Sequence, residues 1–581
     1  MVYSNIARAQ QSSNNLPLQP QALNTAGIYE VRQTEPTLVG TGVKIAVICR
    51  SSTYVNGEPQ NDYQPNFNHN CFADAQFTFH DQGQPPAGFS PHSTAICSIL
   101  LGRDPNAYNG DLGQFYYQSA APAASADVYE FWHFLTNNVF PAEPPDADIL
   151  TASFGSQFED WWTRGIDAMA EQDGLLVVAA IGNGTKASDP PLYPAAGANA
   201  IAVGLALSIN ADYPATVLSN FSLAESAYST AGPTADGRCK PDIIAPGNCL
   251  AADDNEANGY QPTGNFSSFS TPIVAGAAAL LVQKAKLAPA LAPAVAKEGG
   301  NCVIKAILLN SATKLPFWHK GHLSKDDDHA VPLDYLQGAG MLNAADALNL
   351  LVAGQNPPGN VPAASAGRLT AGWDNNLIGT EKNSESVYKF SVAQAGLKSI
   401  TATLVWNRHY ENSYPFKPSA KEVGSTSSPQ DADLRLELWA IDTGNPDNSY
   451  LLDYSDSPLD NVEHIYSQAD PNYTNYEIIV SYSDEDPNQI QPSQRYGLAW
   501  SVADVPDRNN ILWYDLNTDG IVNELDFRAM LDNWFASVES PDRYVIGDID
   551  ADGAIDVNDF TALINRANTR AEWLTEPSRT N

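Results

Sequence analysis

Two acidic loops near the end of the 581-residue chain have the spacing of a metal site. DLNTDGIVNELDF (515–527) and DIDADGAIDVNDF (548–560) align without gaps. Each has Asp or Asn at loop positions 1, 3 and 5, glycine at 6, an apolar residue at 8 and Asp at 12. At that spacing an EF-hand loop converges oxygen ligands on one Ca2+, and the glycine permits the sharp turn. The first loop offers Asp515, Asn517, Asp519, Asn523 and Asp526, and the second Asp548, Asp550, Asp552, Asp556 and Asp559. A solvated acidic tail would not repeat in register. A different chemistry lies upstream in SSFSTPIVAGAAALL (267–281), where serines open a helix rich in small residues. A helix N-terminus favours negative charge developing beside it, and small residues let the helix pass close to a sheet. SPHSTAICSILLG (90–102) supplies His92, an imidazole suited to taking and returning a proton near neutrality. AAIGNGT (179–185) sets Asn183 in a turn after an apolar strand.

Together these upstream blocks resemble the subtilisin-like serine proteases. The 267–281 block resembles that family's nucleophile motif, G-T-S-M-A-T-P-x-V-A-G, and the match makes Ser268 the nucleophile. Phe266 and Ser267 replace Gly-Thr, Phe269 replaces Met, Ser270 replaces Ala and Ile273 replaces the frequent His. The 90–102 block resembles H-G-T-H-V-A-G and puts His92 at the general-base position, with Ser93, Ala95, Cys97 and Ser98 departing from the pattern. AAIGNGT resembles the oxyanion segment A-A-x-G-N. The resemblance implies that Asn183 aims its amide at the tetrahedral oxyanion, with the Ser268 N–H beside it; such a donor is worth roughly 3–4 kcal/mol. SAYSTAGPTADGRCKPDIIAPG (226–247) resembles a further subtilase segment that is not catalytic. LTASFGS (150–156) resembles the strand edge lining the substrate cleft, so that Ser153 and Gly155 would pair with a peptide as an added strand. GVKIAVICRSSTYV (42–55) resembles the first subtilase strand, G-V-x-V-A-V-I-D-x-G, but the triad aspartate position is Cys49 and the glycine position is Ser51. The triad acid holds the histidine tautomer and stabilises the imidazolium; a thiol is a weak acceptor and mostly neutral at pH 7. Asp62, Asp74 and Asp81 lie between this strand and His92, and none has a family motif around it.

These residues need a scaffold, and the texture of the chain divides into pieces. Residues 1–40 are polar, rich in Gln and Asn, and read as an extended lead-in. Over 41–354 short, almost continuously apolar runs alternate with helix-like stretches, which predicts a parallel sheet with helices on both faces. A Pro/Gly/Ser/Ala-rich linker follows at 355–367. Alternating runs over 368–506, among them LRLELWAI and YEIIVSY, predict a β-sandwich; it resembles the one that follows the catalytic domain in some alkaline subtilases. The repeat falls in 507–572, with a tail at 573–581. Duplicated loop-helix units with Asp at position 12 resemble a type I dockerin, an α-helical calcium module whose partners are cohesins. The resemblance implies partner contacts at loop positions 10 and 11, here Glu524-Leu525 and Val557-Asn558.

The formal charge is −36, from 67 acids against 31 Lys and Arg, which disfavours nucleic acid and anionic membranes as partners. No stretch is long and apolar enough for membrane insertion. Six cysteines form no CxxC pair, and Cys239 and Cys249, flanking a short segment, are the expected disulfide. The opening MVYSNIARAQQSSNN lacks a signal peptide's apolar core; the expectation of a secreted or cell-surface protein, its signal already removed, rests on the terminal module. The sequence thus implies a calcium-anchored serine endopeptidase acting on peptides. The alternative is a weak or dead pseudoprotease that binds or presents surfaces.

Overall fold

The structure is a computed structural model. It describes residues 16–83, 85–157, 161–184, 191–206, 229–253, 255–315, 318–321, 329–359, 370–379, 384–392, 398–419, 432–483 and 493–504, and near the C-terminus 514, 516, 522–532, 534, 547, 549 and 555–569.

Seven strands form one parallel sheet: β1 (Lys44–Cys49), β2 (Gln76–His80), β3 (Ser125–Glu130), β4 (Ile149–Ala152), β5 (Leu176–Ala180), β6 (Ile201–Ala206) and β7 (Ile243–Pro246). Their order is β7-β6-β5-β4-β1-β3-β2. The strands are apolar throughout because both faces are covered. Along β1, Ile45, Val47 and Cys49 point into one core and Ala46 and Ile48 into the other. The first core holds α1 (Pro91–Leu101) and α3 (Ser267–Leu287), and the second holds α2 (Trp161–Asp173). The small residues of α3 have a steric purpose: a Cβ on Gly276 would lie 2.2 Å from the Cβ of Ala120.

The lead-in is not extended where it is described. Gln21–Thr25 and Ile28–Thr34 are helices. Leu23, Ile28, Tyr29 and Val31 are buried in the α3-side core, and apolar burial holds a segment whose composition reads as polar. The expected disulfide is also absent. All six cysteines are free and buried. Cys239 and Cys249 stand on either side of β7 in the chain, with a four-residue strand, about 13 Å long, between them, and they form no bond. The Cys239 thiol instead donates to the Leu333 carbonyl, 3.2 Å away.

Lys240 and Asp242, in the segment before β7, form the most buried ion pair among the described residues. The Asp242 carboxylate takes the Lys240 Nζ at 2.6 Å and the Nζ of Lys305 at 2.8 Å. Burial alone would raise the Asp242 pKa, but the two ammonium groups more than offset it and hold the group ionised. Lys305 lies on α4 (Gly300–Asn310), which also carries the next domain.

That domain is a pair of four-stranded antiparallel sheets, β10-β17-β12-β15 and β11-β16-β13-β14. The strands are β10 (Ala371–Ile378), β11 (Ser386–Ser391), β12 (Lys398–Trp406), β13 (Leu434–Ile441), β14 (Tyr450–Ser455), β15 (Val462–Gln468), β16 (Asn475–Tyr482) and β17 (Gln494–Asp504); β8 (Leu250–Ala252) and β9 (Tyr260–Pro262) form an antiparallel hairpin before α3. The sheets enclose a core including Tyr388, Leu404, Leu436, Ile478 and Trp500. The outer face of the first sheet lies on α4 so closely that a Cβ on Gly497 would sit 2.5 Å from the Val303 nitrogen. After α5 (Ala344–Ala353) and the sandwich come α6 (Glu524–Asp532) and α7 (Val557–Ile564), which share a small core with Val522, Met530, Ile555 and Leu563. Among the described residues no helix is long and apolar enough to cross a membrane.

Candidate active site

β1 ends on Cys49, at the carboxyl edge of the sheet between β3 and β4. Ligands of open α/β sheets bind beyond this edge. The first turns of α1 and α3 reach the same region, bringing His92 and Ser268 with them. Ser90 caps α1 by accepting the Ser93 N–H at 3.1 Å, and Pro91 occupies the first turn, where its missing N–H costs nothing.

The nucleophile side of the site is fully connected. The Ser267 N–H and hydroxyl both donate to the Asn183 Oδ1, at 2.7 and 2.9 Å, and the Ser267 hydroxyl accepts the Gly182 N–H at 3.2 Å. A backbone N–H can only donate, so the bonded atom of the Asn183 amide is its oxygen. The residue is exposed, and the amide nitrogen is its other polar side-chain atom. Neither it nor the Ser268 N–H makes a hydrogen bond among the described residues. Two unspent donors at a helix start can stabilise an oxyanion. Deeper in, the Ser270 hydroxyl ties α3 to β7 through the Ala245 carbonyl at 3.0 Å.

Ser153 and Gly155 follow β4. The Ser268 hydroxyl donates to the Ser153 carbonyl at 2.9 Å; a carbonyl can hold that proton but cannot remove it. A Cβ on Gly155 would meet the Leu192 Cβ at 2.5 Å, so this glycine also has a packing reason to be there. Ser156 is paired with Tyr193 in both directions, at 2.9 and 2.8 Å.

The acid–base side is a contrast. The His92 ring leans on Phe269, centroids 5.9 Å apart, and makes no hydrogen bond or ion pair among the described residues. The surrounding protein lowers the His92 pKa with no acid to oppose it. His92 is nonetheless exposed as a residue. Cys49 is fully buried, and burial pushes its thiol up to about 11 despite the nearby Ser93 hydroxyl. That hydroxyl approaches the sulfur without the geometry of a hydrogen bond and is otherwise unpartnered. Cys49 is thus protonated at neutral pH and, unlike a carboxylate, offers His92 no charge.

None of the intervening aspartates takes its place. Asp62 accepts the Ser52 N–H at 2.9 Å and the Thr53 hydroxyl at 2.8 Å, organising its own loop. Asp74 is 3.7 Å from Arg103. Asp81 accepts the Gly83 N–H at 2.6 Å and the Tyr63 hydroxyl at 3.3 Å. Sequence reasoning did not single out Phe131, Phe154 or Arg50 at this edge. The Arg50 guanidinium lies 5.8 and 5.9 Å over the two rings. Its position directly after Cys49 was the available signal.

In the terminal repeat, Asp515, Asn517, Asp519, Asp548, Asp550 and Asp552 lie outside the described residues. The remaining four candidates occupy equivalent places in the two copies. Asp526 Oδ2 accepts the Asn523 N–H at 2.7 Å, and Asp559 Oδ2 accepts the Asp556 N–H at 2.9 Å. The carboxylates of Asp526 and Asp559, each at loop position 12, are completely buried. Buried, hydrogen-bonded oxygen donors at this position suit a hard cation.

A serine at the start of a helix, with the amide of an asparagine that follows a strand beside it, thus stands at the carboxyl edge of a parallel α/β sheet. The subtilase family model matches residues 38–340, more than half of the chain, and the chain belongs to the subtilase family. It therefore carries a subtilase-family protease domain. Similar solved structures include the self-cleaved protease domain of PatA, at 22% identity over 54% of this chain and 97% of that one, with a TM-score of 0.36. Another is the patellamide maturation protease PatG, at 16% identity over 56% of this chain and 95% of that one, with a TM-score of 0.37.

Proposed function

We propose that the chain is a serine endopeptidase working at reduced rate with a Ser268–His92 pair and an oxyanion site made by Asn183 and the Ser268 N–H. The observation that carries this reading is the Asn183 amide, whose oxygen is fixed by Ser267 and whose nitrogen is left unspent. A fixed amide with a free N–H suits a tetrahedral intermediate. Peptide backbone would add to the edge at Ser153–Gly155, and the Ser268 hydroxyl would turn from the Ser153 carbonyl to His92. His92, kept neutral by its lowered pKa, would take the proton and pass it to the leaving amine. Labelling by a fluorophosphonate tests the reading: a covalent adduct on Ser268, absent in Ser268→Ala, supports it, and no adduct on folded protein defeats it.

A second reading, a pseudoprotease that binds peptide without cutting it, is favoured by one observation: His92 has no carboxylate partner among the described residues. The same labelling separates the two.

The terminal repeat fits calcium binding and a dockerin-like role. Asp526 and Asp559 would hold the cation with the acids of their own loops. Glu524, Leu525, Val557 and Asn558, all exposed at the helix starts, would face a cohesin-type partner. An extracellular or cell-surface location follows from that role alone; six free buried thiols add no support for an oxidising compartment. Calcium should protect the amides of 522–532 and 555–569 from hydrogen exchange in the intact chain. Equal exchange with calcium and with chelator would refute metal binding.

A further inference from the structure

Asn183 is followed by Gly184, whose backbone nitrogen can close a five-membered ring on the side-chain carbonyl carbon of the asparagine. The chain has four such pairs: Asn56-Gly57, Asn109-Gly110, Asn183-Gly184 and Asn258-Gly259. Three lie in hairpin turns. Val55 pairs with Glu58 around Asn56, Asn109 pairs with Gly113, and the Asp253 N–H closes the turn at Asn258 on the Gly259 carbonyl at 2.9 Å. Asn183-Gly184 instead follows β5, and the Gly184 N–H makes no hydrogen bond among the described residues. Asn183 is exposed, its Oδ1 takes two donors from Ser267 at 2.7 and 2.9 Å, and its Nδ2 is unspent. Asn109 is the nearest counterpart. Its Oδ1 takes the Asp111 and Leu112 N–H groups at 2.9 and 3.3 Å, but its Nδ2 is held by the Tyr260 carbonyl at 2.8 Å.

We propose that Asn183 is a site of self-modification, at which the Gly184 nitrogen attacks the side-chain amide and converts it to a carboxylate. The Gly184 N–H gives its proton to solvent base, and its nitrogen bonds to Asn183 Cγ, pushing an electron pair onto Oδ1. The Cγ–Nδ2 bond then breaks, Oδ1 regains its double bond, and Nδ2 takes a proton from water and leaves as ammonia. Water opens the five-membered imide that results. Breaking its Cγ–N bond gives aspartate, and breaking the backbone C–N bond gives isoaspartate. The charge that develops on Oδ1 in the first step is met by the Ser267 N–H and hydroxyl, which act as an oxyanion site for the protein's own amide. Glycine carries no side chain to shield the attacking nitrogen, and an unspent Nδ2 is free to be protonated as it departs. The product sets a negative carboxylate where an oxyanion needs a donor, so the modified site repels the charge it should stabilise. That last consequence rests on the endopeptidase reading above; the modification itself does not.

The test incubates the full chain in mildly alkaline buffer and maps its peptides by mass spectrometry, where conversion reads as NH2 replaced by OH. Asn183 should convert about tenfold faster than the fastest of Asn56, Asn109 and Asn258, because two donors meet its charge and its leaving nitrogen is free. In urea, where the fold no longer supplies those donors, the four should convert alike. Ser267→Ala removes one donor and should slow Asn183 about 10- to 100-fold, the worth of one hydrogen bond to a charged oxygen, with the other three unchanged. Gly184→Ala shields the nitrogen and should slow Asn183 with both donors in place. Asn183 converting no faster than the other three, or keeping its lead in urea, overturns the inference. So does an unchanged or faster rate at Asn183 in either variant when the chain is folded. In a chain that labels with fluorophosphonate, labelling should fall in proportion to the Asn183 converted; labelling that outlasts the amide overturns the consequence for catalysis. If the chain does not label at all, the endopeptidase reading fails by itself, and the mass readout still decides the modification.

Discussion

The two halves of the candidate site are built differently. On the Ser268 side every polar atom is placed by the fold: Ser267 binds Asn183, Ser270 binds the Ala245 carbonyl, and the helix start supplies the N–H. On the His92 side the geometry of a charge relay depends on one side chain at the end of β1, and there the chain has a neutral, buried thiol. The Ser268 side rests on several mutually bonded groups, whereas a general base would lose its orientation and its counter-charge with a single residue.

The largest effect should come from restoring that residue. Cys49→Asp should raise kcat by up to about 10⁴ with KM little changed, because the carboxylate acts mainly on the imidazolium formed in the transition state. The unpartnered Ser93 hydroxyl beside Cys49 would be a ready donor to the new carboxylate. Steady-state kinetics on a generic peptide check it, with Ser268→Ala in the same background as control. An unchanged rate in folded protein would mean that the acid–base half has decayed beyond one position.

The robust half has its own weak point beneath it. Asp242→Asn leaves Lys240 and Lys305 buried without their counter-charge, which should destabilise the fold by about 3–5 kcal/mol. Denaturant unfolding measures it. A loss under about 1 kcal/mol would show that Ala200, whose carbonyl takes both ammonium groups at 3.0 and 2.9 Å, carries the cluster instead.

Asn183→Ala probes the oxyanion donor directly. In the Cys49→Asp background it should cost about 10²–10³ in kcat, read by the same assay. A smaller loss would place the oxyanion elsewhere.

How much of this could be read from residues alone depended on whether the residues act locally. The apolar run of β1 and the TPIVAGAAALL stretch carry their own periodicity, and the structure places a strand and a helix there. The helices within 16–40 escaped notice because Leu23, Ile28 and Tyr29 are scattered among Gln and Asn and acquire a core only against distant segments. Cys239 and Cys249 looked joinable because sequence distance does not reveal that β7 runs between them. At the site, Asn183 and Ser268 could be named from their motifs, but the orientation of the amide depends on Ser267, 84 residues away in the chain. A cavity of about 280 Å3 beside His92 was invisible in the sequence, since its walls come from α1, the β8–β9 hairpin and the start of α3.

The smallest predicted effect is a shift in pH dependence, and it discriminates most finely between the halves. Reaction of Ser268 with a fluorophosphonate needs His92 neutral, so the labelling rate should fall on the acid side as the imidazole protonates. In the native chain packing lowers the His92 pKa and no carboxylate raises it, so the midpoint should lie below the ordinary histidine value of 6.5. In Cys49→Asp an anion beside the ring favours the imidazolium, and the midpoint should rise, by on the order of one pH unit. A loosened, better-hydrated site would also raise the midpoint, but no further than the ordinary value and alongside a lower rate. A faster rate with a higher midpoint would show that the new carboxylate reaches His92. A faster rate with an unmoved midpoint would mean that the Cys49→Asp carboxylate acts by reshaping the turn through Ser93 and leaves the imidazole without a partner.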